Sequence, residues 1–305
     1  MFWLIFAWLT ALFESFTDVA SKKSLKNVDT YIVAFFIRFS AFLFLIPVLV
    51  LVIFLWGFPT IGSQFWLALL ISGSLNVLTT VLYMNALKHS DLSISVPMLA
   101  FTPLFLLVTS PLIVGEFPTP LGLGGIILIV LGSYILNIKE FRKGCLAPFQ
   151  ALLREKGPKL MLIVAFIWSI TSNYDKVGAV NSSPIIWVVA VNFFIAICLF
   201  PILFALNKDY IPKKRSSLKK KGEYWKLIKQ NKNILLFTGF LSALTIIFQI
   251  YAITLTLVAY VIAIKRTSVC FGVLWGHLIF HEKGMKERLT GAVVMVLGVV
   301  LIVLS

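Results

Sequence analysis

Read as alternating apolar and polar stretches, the chain falls into ten apolar runs near 2–20, 30–56, 65–87, 92–114, 120–138, 160–179, 185–206, 234–256, 258–280 and 289–304. Charge clusters and Gly/Pro breaks separate them. Each run is close to the roughly 20 residues that a helix needs to cross hydrocarbon, so the pattern predicts an all-α integral membrane protein with ten transmembrane helices. Several are joined by tight turns: GEFPTP alone separates the fourth and fifth, and the eighth and ninth almost touch at Thr256 to Val258. The N-terminal run lacks a basic leader and carries Glu14 and Asp18, which predicts a retained first span rather than a signal peptide.

Composition strengthens this reading. Of 305 residues 60% are hydrophobic and only 13% charged, with mean hydropathy +0.99, against roughly 25% charged in a soluble domain. The net charge of +15 would suggest nucleic acid in a soluble protein. Here the bases lie between apolar runs, where topology explains them, and no nucleic-acid partner is expected. Cys145, Cys198 and Cys270 are far apart and form no CxxC pair, so neither a disulfide framework nor a metal site is indicated.

The pattern repeats. Glu116, Gly125 and Gly132 recur as Glu282, Gly291 and Gly298, each displaced by 166 positions, and AFLFLIP (41–47) resembles IAICLFP (195–201). Tyr83 and Asn85 in VLYMNAL (81–87) can be laid on FQIYAIT (248–254) or, one register on, on QIYAITL (249–255), and Asp18 and Asp175 fall near matching places. The expected organisation is a first five-helix repeat at 1–138, a basic linker at 139–159 and a second repeat at 160–305. Two copies of an odd number of spans enter the membrane in opposite senses, an inverted repeat. Charge agrees: 23 of the 27 Lys/Arg lie in loops after spans one, three, five, seven and nine, so the basic loops change parity between copies. The positive-inside rule places those loops in the cytoplasm and both termini outside.

Two five-span halves, each with a glutamate after its fourth span (GEFPTP, HEKGMKERLTG) and glycines nine and sixteen positions later, resemble the EamA-type members of the drug/metabolite transporter superfamily. The resemblance covers essentially the whole chain. It implies a ten-helix bundle around a central cavity lined by both halves, and a transporter in a superfamily whose substrates range from amino acids to sugar phosphates and nucleotide sugars; no cofactor is expected. It also implies cytoplasmic termini, where the charge count says the reverse.

The candidate chemistry lies in polar residues at membrane depth. Lys265 and Arg266 fall 7 and 8 residues into the ninth run, roughly 10 to 12 Å along a helix, where a charge costs about 2.5 to 3.5 kcal/mol even on a lenient insertion scale. One base facing a hydrated cavity would attract an anionic group while the other pairs with Glu14 or Asp18; a purely structural lock between spans nine and one is the alternative. Ser268 shares the Lys265 face. Glu14 and Asp18, spaced i, i+4, share one face of span one and suit proton coupling; placement at the helix end beside Lys22 is the bland alternative. Trp168, Asn173, Tyr174 and Asp175 occupy the matching part of span six, as ligand contacts or as interfacial anchors. Arg38 is another deep charge, and its repeat-equivalent is the neutral Asn192. Asn76, Tyr83, Asn85, Gln249 and Tyr251 offer neutral polar groups, and Ser93, Ser95 and Pro97 predict a broken fourth span near the midplane.

The predicted substrate-binding set is therefore Lys265, Arg266, Ser268, Ser93, Ser95, Tyr83, Asn85, Trp168 and Tyr174, with Glu14 and Asp18 for coupling. Glu116 and Glu282 are expected at the positive ends of helices five and ten. The glycine pairs form bare ridges for close packing, which also suit a homodimer contact. The predicted function is a secondary active transporter in the cell membrane, a prokaryotic inner membrane, moving a small polar metabolite such as an amino acid or other zwitterion. An anionic metabolite such as a sugar phosphate or nucleotide sugar is the alternative. A membrane enzyme would need a nucleophile or metal cluster that His89, His277 and His281 do not supply, and a channel usually wants a symmetric ring of like groups.

Overall fold

A computed structural model describes residues 2–26, 28–89, 96–136, 156–209, 221–271 and 285–305. Among them every regular element is helical: α1 (Phe2–Leu25), α2 (Thr30–Trp56), α3 (Gln64–His89), a 3-10 turn (Val96–Phe101) leading into α4 (Thr102–Ile113), α5 (Pro120–Leu136), α6 (Lys156–Val180), α7 (Pro184–Asp209), α8 (Lys221–Leu255), α9 (Val258–Lys265) and α10 (Met285–Val303). By length and composition α1, α2, α3, the Pro184–Pro201 part of α7 and the Ile228–Leu255 part of α8 suffice to cross a membrane; Met98–Ile113, Pro120–Ile135 and Thr290–Val303 are apolar but shorter. The chain is a multi-pass membrane protein. Helices are the natural outcome, because in hydrocarbon each backbone N–H and C=O must be satisfied within its own segment.

Burial is inverted relative to a water-soluble bundle. Phe54 and Leu112 are 85% and 79% exposed, whereas Asn173 and Asn192 are fully buried. Lipid solvates the apolar exterior, and polar groups find partners only inside. Asn173 shows the consequence: its amide bonds the Thr109 hydroxyl (3.1 Å) and the Ser169 carbonyl (2.8 Å) and accepts from Ser110 (2.8 Å), joining α6 to α4. That is helix glue, not a ligand site.

The main packing pairs are α1 with α8, α3 with α6, α2 with α7 and α8, α4 with α6 and α9, and α5 with α10. Exchanging the first five helices for the last five largely maps this set onto itself. The glycines make the relation concrete. A Cβ added at Gly125 would stand 2.6 Å from the Gly298 carbonyl oxygen, and one at Gly132 would stand 2.7 Å from that of Gly291. The higher number on α5 meets the lower on α10, so the two helices run antiparallel. The ridges therefore meet each other within the chain. Gly73 of α3 lies under Phe194 of α7, and Gly239 of α8 lies against Ser40 and Ala41 of α2, a third glycine pair separated by the same 166 positions.

Three elements differ from the sequence expectation. The predicted loop 208–232 is helical from Lys221 onward, making α8 35 residues long, about 52 Å, well beyond the roughly 30 Å hydrocarbon core. The ninth span does not run unbroken from 258 to 280. It stops at Lys265, turns at Arg266–Thr267 and resumes at Ser268, with 272–280 outside the described residues. Glu116, expected at the start of the fifth helix, instead accepts the Val258 backbone N–H at 2.8 Å and so caps α9. Lys176 of α6 pairs with Glu116 and donates to the Thr256 carbonyl at 2.7 Å. This knot ties α6, the α4–α5 turn and the α8–α9 turn together. Glu282 and the 139–155 part of the linker lie outside the described residues.

Candidate functional site

The site begins with the break in α9. Beyond Lys265 the backbone tightens to i→i−3 bonds, Thr267 N–H to Ile264 O (2.9 Å), Val269 N–H to Arg266 O (3.3 Å) and Cys270 N–H to Thr267 O (2.8 Å). The Thr267 hydroxyl also donates to Ile264 O (2.7 Å), offering that carbonyl a local alternative to the helical ladder. Lys265 and Arg266 thus stand at a helix C-terminus, whose partial negative charge favours cations. On the facing helix α4 is also entered through a 3-10 turn. Arg266 bridges the two irregular turns, its Nη2 donating to Thr102 Oγ1 at 3.1 Å. Short 3-10 pieces inside spans often mark hinges.

Here a cavity of about 100 Å³ opens, lined by α1, α2, α3, α6, α7, α8 and α9. Its charged residues are Glu14, Asp18, Arg38, Asp175, Lys265 and Arg266, three acids and three bases. Lys265 Nζ lies 3.1 Å from Glu14 Oε1 and donates to Gln249 Oε1 at 2.8 Å. The pair joins α9, α1 and α8. Both partners are nearly buried, with side chains 9% and 12% exposed, so mutual attraction and the added amide offset the desolvation of each charge. Asp18 accepts from the Tyr83 hydroxyl. Asp175 accepts from Ser72 (2.6 Å) and from the Trp187 indole (3.2 Å), and Asn76 donates to Ser72 (3.1 Å).

Trp168 forms one wall. Its N–H donates to Thr79 Oγ1 (3.2 Å) and its ring lies 5.4 Å from that of Tyr83, so it is held on two sides. Lys265 Nζ and Arg266 Cζ each lie 5.5 Å from the ring centroid, within the range where a cation is attracted to the π face. The opening in the bundle is a polar chamber with an aromatic wall, able to hold a small ligand bearing either sign of charge. At about 100 Å³ it is smaller than the roughly 300 Å³ from which pockets for drug-sized ligands start.

A family model described as the EamA-like transporter family matches residues 1–138 and 155–304. The chain belongs to this family. As an EamA-like member it falls in the drug/metabolite transporter superfamily, whose proteins are transporters and not enzymes. No curated protein matches the sequence. A solved crystal structure is similar over 99% of this chain and 96% of its own, with TM-score 0.69 and 13% identity; at that identity the likeness is one of fold.

Within this EamA-like fold, Glu14, Asp18, Tyr83, Trp168, Lys265 and Arg266 all line this cavity. Ser268, Asn85 and Tyr174 are not among its lining residues: Ser268 is buried beyond the turn, the Asn85 carbonyl lies 2.8 Å from His89 Nδ1, and Tyr174 packs half-buried against the core. Ser93 and Ser95 lie outside the described residues. Lys22, weighed as a partner for the span-one carboxylates, donates to the Leu87 carbonyl at 2.9 Å. Asp175, Arg38, Asn76 and Gln249 line the cavity without belonging to the predicted set. Asp175 had a readable signal, its correspondence with Asp18 in the other half.

Proposed function

We propose that this EamA-like protein is a secondary active transporter moving a small polar metabolite, an amino acid or other zwitterion, through the central cavity. The observation that carries the reading is the balance of three acids and three bases in one small chamber, since a zwitterion presents both charges and leaves neither set unanswered. Ten spans arranged as two inverted five-helix repeats, 1–138 and 160–305 with the linker 139–159 between them, would let the halves rock around that chamber. The antiparallel contact of repeat-equivalent Gly125 and Gly132 with Gly298 and Gly291 supports inversion. The Glu116–Lys176 knot must then open when the chamber is exposed to the face opposite the basic loops.

Saturable uptake and counterflow in proteoliposomes test the reading. Non-saturating flux would favour a channel. Asp18 is the coupling residue in this scheme, because both carboxylates line the chamber but Glu14 is paired with Lys265, whereas Asp18 meets the neutral Tyr83 hydroxyl. Asp18→Asn should abolish proton-gradient-driven accumulation and leave counterflow largely intact; loss of both together, in folded protein, would remove the coupling role. A second reading, an anionic metabolite, draws support from Arg266 Nε, which is buried without a partner among the described residues.

We read the membrane as a prokaryotic inner membrane with both termini outside, an orientation that the bias of Lys and Arg toward alternate loops supports. In a Cys-free variant, a cysteine at exposed Ser305 should react with an impermeant maleimide in intact cells, and one at exposed Lys26 only after permeabilisation. The opposite pattern would put both termini in the cytoplasm.

A further inference from the structure

Of the six charged side chains on the cavity, five have a direct partner: Glu14 with Lys265, Asp18 with Tyr83, Asp175 with Ser72 and Trp187, and Arg266 with Thr102. Arg38 is the exception. It lies half-buried on the cavity wall contributed by α2 and makes no hydrogen bond or ion pair among the described residues. The carboxylates it feels at longer range are Glu14 and Asp175, and both are held by other groups. A guanidinium presents five N–H donors in a fixed fork and cannot shed its proton, so at membrane depth those donors need water or an anion. The fold does not call for this charge. At the repeat-equivalent position on α7 stands Asn192, neutral, its amide turned onto the Val188 carbonyl of its own helix.

We propose that Arg38 is the receptor for the carboxylate of the transported metabolite, which it grips through its fork. The inference rests on the reading of the cavity as the transport site and names the group that site selects. A planar carboxylate matches the fork with two parallel N–H···O bonds. Glu14 and Asp175 hold the guanidinium toward the chamber by long-range attraction without occupying its donors. Substrate binding then gives the guanidinium its first direct partner, and an analogue lacking the carboxylate is rejected because the fork stays unanswered. Arg38 also makes the site asymmetric between two similar halves, which fixes the orientation in which a zwitterion sits.

The test uses the purified full chain, with thermal unfolding followed in the presence of the common L-amino acids, their carboxamides, and glucose 6-phosphate and glycerol 3-phosphate. At least one amino acid should raise the wild-type Tm where its carboxamide does not. Arg38→Gln should weaken that ligand roughly 10- to 100-fold, the range for losing hydrogen bonds to a charged group. Arg38→Lys, which keeps the charge but not the fork, should weaken it too. Neither variant should lower the ligand-free Tm sharply, because neither breaks a hydrogen bond or a close ion pair. A clear drop in ligand-free Tm in both variants would mark Arg38 as structural. Unchanged affinity in Arg38→Gln, equal binding of acid and carboxamide, stabilisation by the phosphates alone, or no stabilisation of wild type at all would each overturn the assignment. Uptake separates the role of Arg38 from the transport function. Transport of the bound amino acid by Arg38→Gln at wild-type affinity removes Arg38 and leaves the transport reading, whereas binding without uptake by wild type removes the transport reading and leaves Arg38.

Discussion

Lys265→Met is expected to cost about 3–5 kcal/mol, the usual loss when one partner of a buried ion pair is removed and the other is left uncompensated. The variant strands the Glu14 carboxylate and the Gln249 carbonyl in a chamber where both now meet the Lys265 ammonium at 3.1 and 2.8 Å. It also removes one of the two cations over Trp168. Melting of the detergent-solubilised protein, read by the monodisperse fraction after heating, should shift down sharply. The double variant Glu14→Gln, Lys265→Met should recover most of the loss, because it removes both charges and leaves groups of similar size. Additive losses from the two single changes would show that the pair does not act as a unit. Full stability of Lys265→Met alone would mean that the chamber is wet enough to solvate Glu14 without its partner.

The second large effect is expected where α5 crosses α10. Gly125→Ala adds a single carbon, which would stand 2.6 Å from the Gly298 carbonyl oxygen and 3.0 Å from the Ile302 backbone nitrogen. Ile302 Cγ1, at 2.7 Å, belongs to a side chain that can turn, but the two backbone atoms cannot, so the helices must separate. Overpacking typically costs about 1–3 kcal/mol, toward the upper end here because turning the Ile302 side chain leaves both backbone contacts in place. The neighbouring Gly124→Ala is the control: its added carbon meets only Leu301 Cδ1, at 3.9 Å, and helix propensity favours Ala by roughly 0.8–1.0 kcal/mol. Thermal stability should therefore move in opposite directions at adjacent positions. If Gly125→Ala is as stable as Gly124→Ala, the close crossing of α5 and α10 is not present in the folded protein.

These two cases differ in how far the chain announces them. The 166-residue spacing of the motif glycines is visible in the sequence because repetition leaves matching residues at matching intervals. That Gly125 faces Gly298 rather than lipid or another copy of the chain is not, since a bare ridge looks the same whatever covers it. Gly73 and Gly239 share that spacing and were equally legible, but a lone glycine in an apolar run signals nothing until its neighbour, Phe194 or Ser40, is known. Lys265 and Arg266 announced themselves by their cost in hydrocarbon. Their partners did not, because Glu14, Gln249 and Thr102 lie on three other helices.

The sequence by itself determined the class of the molecule, a multi-pass helical membrane protein, and most helix limits. A bilayer imposes a length and a composition on each span, and both can be read residue by residue. It also determined family membership, carried by motifs that recur in each half. Only the tertiary structure decided that the ninth helix stops at Lys265, that Glu116 caps α9 rather than its own following helix, that Tyr174 and Asn85 stay off the chamber, and that Arg38 stands there unpaired. The physical reason is common to all four. Which way a side chain faces, and whether its charge or hydrogen bonds are answered, depends on groups remote in sequence that packing alone brings within a few ångströms.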